Sequence, residues 1–177
     1  NEDNRVNSEN EENKANKRPE SIELIVKAEG TEVARQTITE DDNWKYTFEL
    51  PKYDRLGNEI EYTVDEKIES KFYVKEIVGN VITNRFVVPE DKIEIPVEKI
   101  WNDNDNEANK RPTSVKVIVS AKGEQVTEYT LSEENNWKYT FELAKYDELG
   151  DEIEYSVDEE ITSIFYEKEI NGTVITN

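Results

Sequence analysis

The chain repeats itself. Sliding the sequence by 93 residues aligns Pro19 with Pro112, Trp44 with Trp137, Glu66 with Glu159 and Asn84 with Asn177, with no gap between. Of the 66 aligned positions 41 are identical, so one type of domain is used twice in tandem. The 177 residues then divide into units of modest size, each able to bury a workable core without disulfides. The expected borders are a first domain over residues 1–84, opening on a polar lead at 1–18, a linker over 85–91, and a second domain over 92–177.

Within each unit the patterning is that of short strands. Ser21–Lys27 and Ser114–Ser120 carry Ile-Val pairs, as a strand close to a core does, and Ala28-Glu29-Gly30 and Ala121-Lys122-Gly123 follow as hairpin turns. Val33–Ile38 and Val126–Leu131 read as edge strands. Trp44, Tyr46, Phe48 and Leu50 lie two apart, as do Trp137, Tyr139, Phe141 and Leu143, and both sets are expected to face the core. A Leu-Gly turn then leads into the strands ending at Glu66 and Glu159, and Val81–Asn84 and Val174–Asn177 are the last strands. Short strands at close spacing, with no convincing 3.6-residue period, predict an all-β chain of two tandem β-sandwich domains. Lys92–Trp101 is the first strand of the second unit, with Ile93, Ile95, Val97, Lys99 and Trp101 on one face. The first unit lacks its equal: counting back from Pro19, Lys99 aligns with Val6, or with Arg5 after a one-residue insertion, and neither segment alternates.

Composition narrows the chemistry. The chain has 42 acidic and 22 basic residues and a formal charge of −20, which disfavours nucleic acid and anionic membranes as partners. It has no Cys, His or Met, which removes thiol chemistry, imidazole catalysis and the usual soft-metal sites. No apolar run is long enough to span a membrane, and signals for export or anchoring, if the parent has them, lie outside these residues. Asn102–Glu107 alternates carboxylates and amides like a calcium loop, but lacks the Gly at the sixth position and the bidentate Glu at the twelfth, so a solvated turn is expected. The adjacent acids Asp65-Glu66 and Glu159-Glu160 point to opposite faces of a strand and cannot flank one glycosidic bond. No cofactor, no metal and no conventional enzyme activity are expected.

What remains unexplained is a set of polar residues on inward parity. Glu159 shares a face with Ile153, Tyr155 and Val157, Lys99 with Ile95 and Val97, and Asn177 with Ile175; Glu66 and Asn84 repeat Glu159 and Asn177 in the first unit. An unpaired buried charge costs several kcal/mol, about 3–5 when its partner is removed. One explanation is a buried Lys–Glu ion pair bridged by the asparagine, or strand ends that reach water. The other is an intramolecular amide: burial favours the neutral amine and the protonated acid, the amine attacks the carboxamide carbon, and the acid stabilises the intermediate and passes a proton to departing ammonia. Arg5 and Lys14 are poor stand-ins for the lysine in the first unit, since arginine stays protonated and Lys14 falls in a polar loop.

The runs Lys99-Ile100-Trp101, Lys110–Val115, Asn136–Phe141, Lys145-Tyr146-Asp147, Ile153–Glu159 and Val174–Asn177 closely resemble the B-type (CnaB) repeat of Gram-positive collagen adhesins and related surface proteins. The resemblance covers nearly all of the second unit and the first from Lys17 to Asn84. It implies an inverse immunoglobulin-like (prealbumin-like) sandwich in an extracellular, cell-wall-anchored stalk, with neighbouring stalk domains as partners and a spontaneous Lys–Asn isopeptide bond assisted by a Glu. Carried onto this sequence, Lys99 is the amine, Asn177 the acceptor and Glu159 the acid/base. Glu66 and Asn84 match in the first unit, whose lysine has no counterpart and whose exposed edge invites strand addition. An alternative role is a module that itself contacts a host or matrix ligand.

Overall fold

The computed structural model describes residues 17–177, which divide into two compact units at Pro89/Glu90. Among the described residues the only helical element is one 3-10 turn at Glu133–Asn135, and no helix is long and apolar enough to cross a membrane. Each unit is a β-sandwich.

In the second unit one sheet has the order β10-β7-β8, built from β7 (Ser114–Ala121), β8 (Glu124–Ser132) and β10 (Tyr155–Glu160). The opposing sheet has the order β11-β12-β6-β9, from β6 (Lys92–Ile100), β9 (Lys138–Ala144), β11 (Glu169–Asn171) and β12 (Val174–Thr176). β7 and β8 join through Lys122-Gly123, both at positive φ (52° and 83°), the two left-handed residues a tight hairpin needs. β6 runs antiparallel to β9 and parallel to β12, so the first and last strands of the unit lie side by side. Ile95, Val97, Val115, Val117, Val119, Leu131, Phe141 and Ile175 fill the space between the sheets, every one contributed by the inward parity of its strand.

The first unit repeats the three-stranded sheet as β2-β1-β3, with β1 (Ser21–Ala28), β2 (Thr31–Thr39) and β3 (Tyr62–Lys67), and adds a two-stranded sheet of β4 (Tyr73–Val78) and β5 (Val81–Phe86). β5 runs two residues past Asn84, into the segment expected as linker. The matching registers of β1 with β3 and of β7 with β10 put Glu66 opposite Leu24 and Glu159 opposite Val117.

One expected strand of the first unit is not formed. Residues 45–50 carry the same Lys-Tyr-Thr-Phe-Glu-Leu as β9, yet they have no ladder partner among the described residues. In the second unit that partner is β6. The expectation that the Trp-Tyr-Phe-Leu sets face the core also needs correcting at the tyrosines. Tyr139 is 37% exposed, stacked on Tyr129 with ring centroids 3.6 Å apart, and Tyr46 is 51% exposed. Phe141 is buried while its equal Phe48 is only half-buried. The strand propensity of the two segments is the same; the neighbour decides.

Hydrogen exchange tests this. Amides of residues 138–144 should exchange at least about tenfold more slowly than those of 45–50, because among the described residues only the former close ladder hydrogen bonds. Equal protection would show that the first unit is as complete as the second.

Candidate functional site

The second unit brings Lys99, Glu159 and Asn177 into one interior. Their residues are 3%, 3% and 9% exposed, the only charged or amide residues of that unit among the buried ones. Lys99 and Asn177 come from the same sheet. Lys99 pairs with Ile175 across the parallel β6–β12 ladder, and Asn177 follows two residues on, held by its N–H donating to the Ile100 carbonyl (3.1 Å) and its carbonyl accepting from the Asn102 N–H (2.7 Å). Glu159 comes from the other sheet, one residue from the end of β10. Its carboxylate Oε2 accepts a hydrogen bond from Asn177 Nδ2 at 2.9 Å.

The polar atoms are not all satisfied. Glu159 Oε1 and Asn177 Oδ1 are buried with no partner. Both are acceptors as drawn, and a proton on the carboxyl is the simplest single change that would let one donate to the other. Burial pushes the Glu159 carboxyl up from its ordinary range, against the Asn177 hydrogen bond and the nearby Lys99, which pull it down. Burial likewise pushes Lys99 down to about 8; Glu159 and Asp103 act against this and Arg111 with it. Lys99 Nζ donates to the Ile100 carbonyl (2.7 Å) and sits 4.0 Å from the Trp101 ring centroid. Among the described residues it has no carboxylate within ion-pair distance, so the bridged Lys–Glu ion pair is not what the geometry presents.

The wall around the lysine was not read from sequence. Asn136 and Trp137 are both left-handed (φ 55° and 59°), uncommon for any non-glycine and more so for tryptophan. This sets Trp137 edge-on to Trp101, with centroids 5.0 Å apart, and Tyr166 meets Trp101 from another side at 5.1 Å. Asp103, expected in a solvated turn, is instead tied down: Arg111 Nε (2.9 Å) and the Tyr166 hydroxyl (2.9 Å) both donate to it, and its pKa falls well below the carboxylate range. Lys168, paired with Asp158, also donates to the Glu159 carbonyl at 2.7 Å. The only sequence signal for that contact is that Lys75 occupies the same place in the first unit and bonds Glu66 in the same way.

The first unit holds two of the three residues. Glu66 is 4% exposed, and Asn84 Nδ2 donates to its Oε2 at 3.1 Å. Glu66 Oε1 and Asn84 Oδ1 are buried without partners, as in the second unit. Arg5, Val6 and Lys14 lie outside the described residues. Where Arg111 approaches Trp101, Arg18 stands 4.7 Å over Trp44, since Trp101 aligns with Ser8.

Two tandem sandwiches, each with a Glu–Asn pair across its core and one with a lysine beside it, define a class of repeat domain. The chain belongs to the Cna protein B-type domain family, whose profile matches residues 8–85 and 95–177. A collagen adhesin of Staphylococcus aureus is 38% identical over 167 residues, covering 91% of this chain and 14% of that protein's length. A crystal structure of two B repeat units of the collagen binding protein of S. aureus matches with a TM-score of 0.57 and 35% identity, over 94% of this chain and 45% of that one. The chain thus spans a small part of its curated relative.

The buried amine gives a pH test. A lysine depressed to about 8 binds fewer protons folded than unfolded between there and 10.5, so stability rises with pH through that window. In an Asn177→Ala chain, where no carboxamide stands beside Lys99, the second unit should gain up to about 3 kcal/mol from pH 8 to pH 10.5, and the N177A/K99M chain should gain none of it. Parallel pH profiles for the two would mean that Lys99 is solvated.

Proposed function

We propose that the chain is a stalk repeat of a bacterial surface adhesin, working outside the cell, whose second unit ties its first and last strands together by a self-formed amide between Lys99 and Asn177. The supporting observation is the shared interior: a lysine without a carboxylate partner, on the strand next to the asparagine, with a glutamate already bonded to that asparagine. In the reaction the neutral Lys99 Nζ attacks Asn177 Cγ. Glu159, whose carboxyl burial pushes towards the protonated form, hydrogen-bonds the carboxamide oxygen as the tetrahedral centre forms, takes a proton from the attacking nitrogen and delivers one to Nδ2. The Nζ–Cγ bond forms, the Cγ–Nδ2 bond breaks, and ammonia leaves. Holding both partners in one ladder replaces an unfavourable encounter by an effective concentration that reaches about 10⁵ M or more in oriented systems.

The role follows from where load enters. Tension on the chain ends pulls first on β6 and β12, which lie in parallel and would shear. An amide between them carries the load past the rest of the core. The first unit shows no counterpart of Lys99 among its described residues, its Lys75 being bonded to Asp65 and the Glu66 carbonyl as Lys168 is to Asp158 and the Glu159 carbonyl, and it forms no such bond within the chain in this reading. Likeness to a collagen adhesin and to B repeats, together with the tandem architecture, supports placing the chain in a surface adhesin, anchored at the wall through parts of the parent beyond these residues.

Intact mass decides it. The chain should weigh about 17 Da less than its sequence, one ammonia, and E159A should restore the full mass in a folded but less heat-stable protein. Full mass in the native chain would remove the bond, and a loss surviving E159A would remove Glu159 from the chemistry.

A further inference from the structure

Trp101 hides the one polar atom of its side chain. The residue is half-buried, so part of it reaches the surface, yet Nε1 is buried and has no hydrogen-bond partner among the described residues. A buried indole N–H ordinarily finds an acceptor, and a donor left without one is costly. Turning the N–H out to water would satisfy it. The ring is held otherwise: Trp137 and Tyr166 meet it edge-on with centroids 5.0 and 5.1 Å away, Arg111 Cζ stands 5.5 Å from its centroid, and Lys99 Nζ 4.0 Å. The place of Trp101 in the sheet gives the idle donor a use. Asn177 is bracketed by the two neighbours of Trp101, since its N–H donates to the Ile100 carbonyl and its carbonyl accepts from the Asn102 N–H. This carries the parallel β6–β12 ladder one pair further, with Trp101 directly across from Asn177 and on the same face as Lys99. One interior thus holds an orphan donor, Trp101 Nε1, and two orphan acceptors, Asn177 Oδ1 and Glu159 Oε1.

We infer that the indole N–H of Trp101 is a catalytic group of amide formation, the fixed donor to the oxyanion that develops on Asn177 Oδ1. This rests on the Lys99–Asn177 reaction proposed above. As the Nζ–Cγ bond forms, the carbonyl electron pair moves onto Oδ1, and that oxygen needs donors through the whole life of the tetrahedral centre. Glu159 cannot serve throughout. It must pass its proton to Nδ2 before ammonia leaves, and the carboxylate it then becomes donates nothing. The indole is a donor only and keeps its proton. It gives the oxyanion a hydrogen bond and no proton; when the electron pair returns to the carbonyl, the Cγ–Nδ2 bond breaks and ammonia leaves with the proton that Glu159 relays from Nζ. A donor that is idle before the reaction and engaged in its transition state lowers the barrier, because the resting state gains nothing from it. Lys99 and Trp101, two apart on β6, thus bring the nucleophile and the oxyanion donor to Asn177 from a single strand.

Timed intact mass on the full chain reads this step. A photocaged lysine at position 99 keeps the chain unreacted; light removes the cage in denaturant, and dilution into buffers from pH 7 to pH 9 starts folding, followed by circular dichroism. The native sequence should lose about 17 Da. With Trp101 replaced by 3-benzothienylalanine, which keeps the shape of tryptophan and has sulfur in place of the N–H, the loss should be about 100-fold slower while folding is unchanged. W101F, which also lacks the N–H, should be at least as slow. The factor should be the same at every pH, because the indole does not titrate and the ionisable groups around it, Lys99, Glu159, Asp103, Arg111 and Tyr166, are all retained. An isostere chain that reacts as fast as the native one overturns the inference, whether or not W101F is slow, since Trp101 would then be only a wall. Slowing matched by slower folding, or joined to a shift of the profile to higher pH as water reaches Lys99, overturns it as well. If the native sequence itself loses no ammonia, the reading on which the inference rests fails instead.

Discussion

A lysine and a glutamate shut inside a thin apolar sandwich are the constraint on which the rest of this chain turns. A charged amine there would cost several kcal/mol unless closely paired, and Lys99 is given a carbonyl and a tryptophan face in place of a carboxylate. The interior therefore favours the uncharged amine and the protonated acid, the two forms that proposed amide formation needs. What would be a liability in an ordinary core becomes, on this account, the driving arrangement for a covalent tie, after which neither charge remains at the lysine to be buried.

The fold supplies the geometry cheaply. Parallel pairing of β6 and β12 sets the lysine and the asparagine two positions apart on one face, and the sheet opposite contributes the acid at a position fixed by its ladder with Val117. Around them, the left-handed Asn136-Trp137 turn, Trp101 and the Asp103–Arg111–Tyr166 cluster close the end of the sandwich. The same six residues at 45–50, with no counterpart of β6 among the described residues, close no ladder, so the two units separate what local sequence dictates from what a neighbouring strand adds.

Much of this was legible in the sequence. The gapless repeat and the period-two patterning give two β-sandwiches, and parity alone brings Lys99, Glu159 and Asn177 to the interior, where the structure finds them. Other features were not legible, for physical reasons. Whether 45–50 forms a strand depends on a partner and not on its own residues. Tyr139 lies on inward parity yet is partly exposed, because it leans on Tyr129 near the sheet edge. Asp103 looks like one more acid in a polar loop until Arg111 and Tyr166, eight and 63 residues away, are brought to it.

Pulling a single molecule by its two ends tests the central claim most directly. With the second unit sealed between Lys99 and Asn177 and the first unit open, the force trace should show one unfolding event, releasing about 20–30 nm of chain from the first unit alone. Two such events, the second of similar length, would show that the first and last strands of the second unit come apart and that no tie joins them.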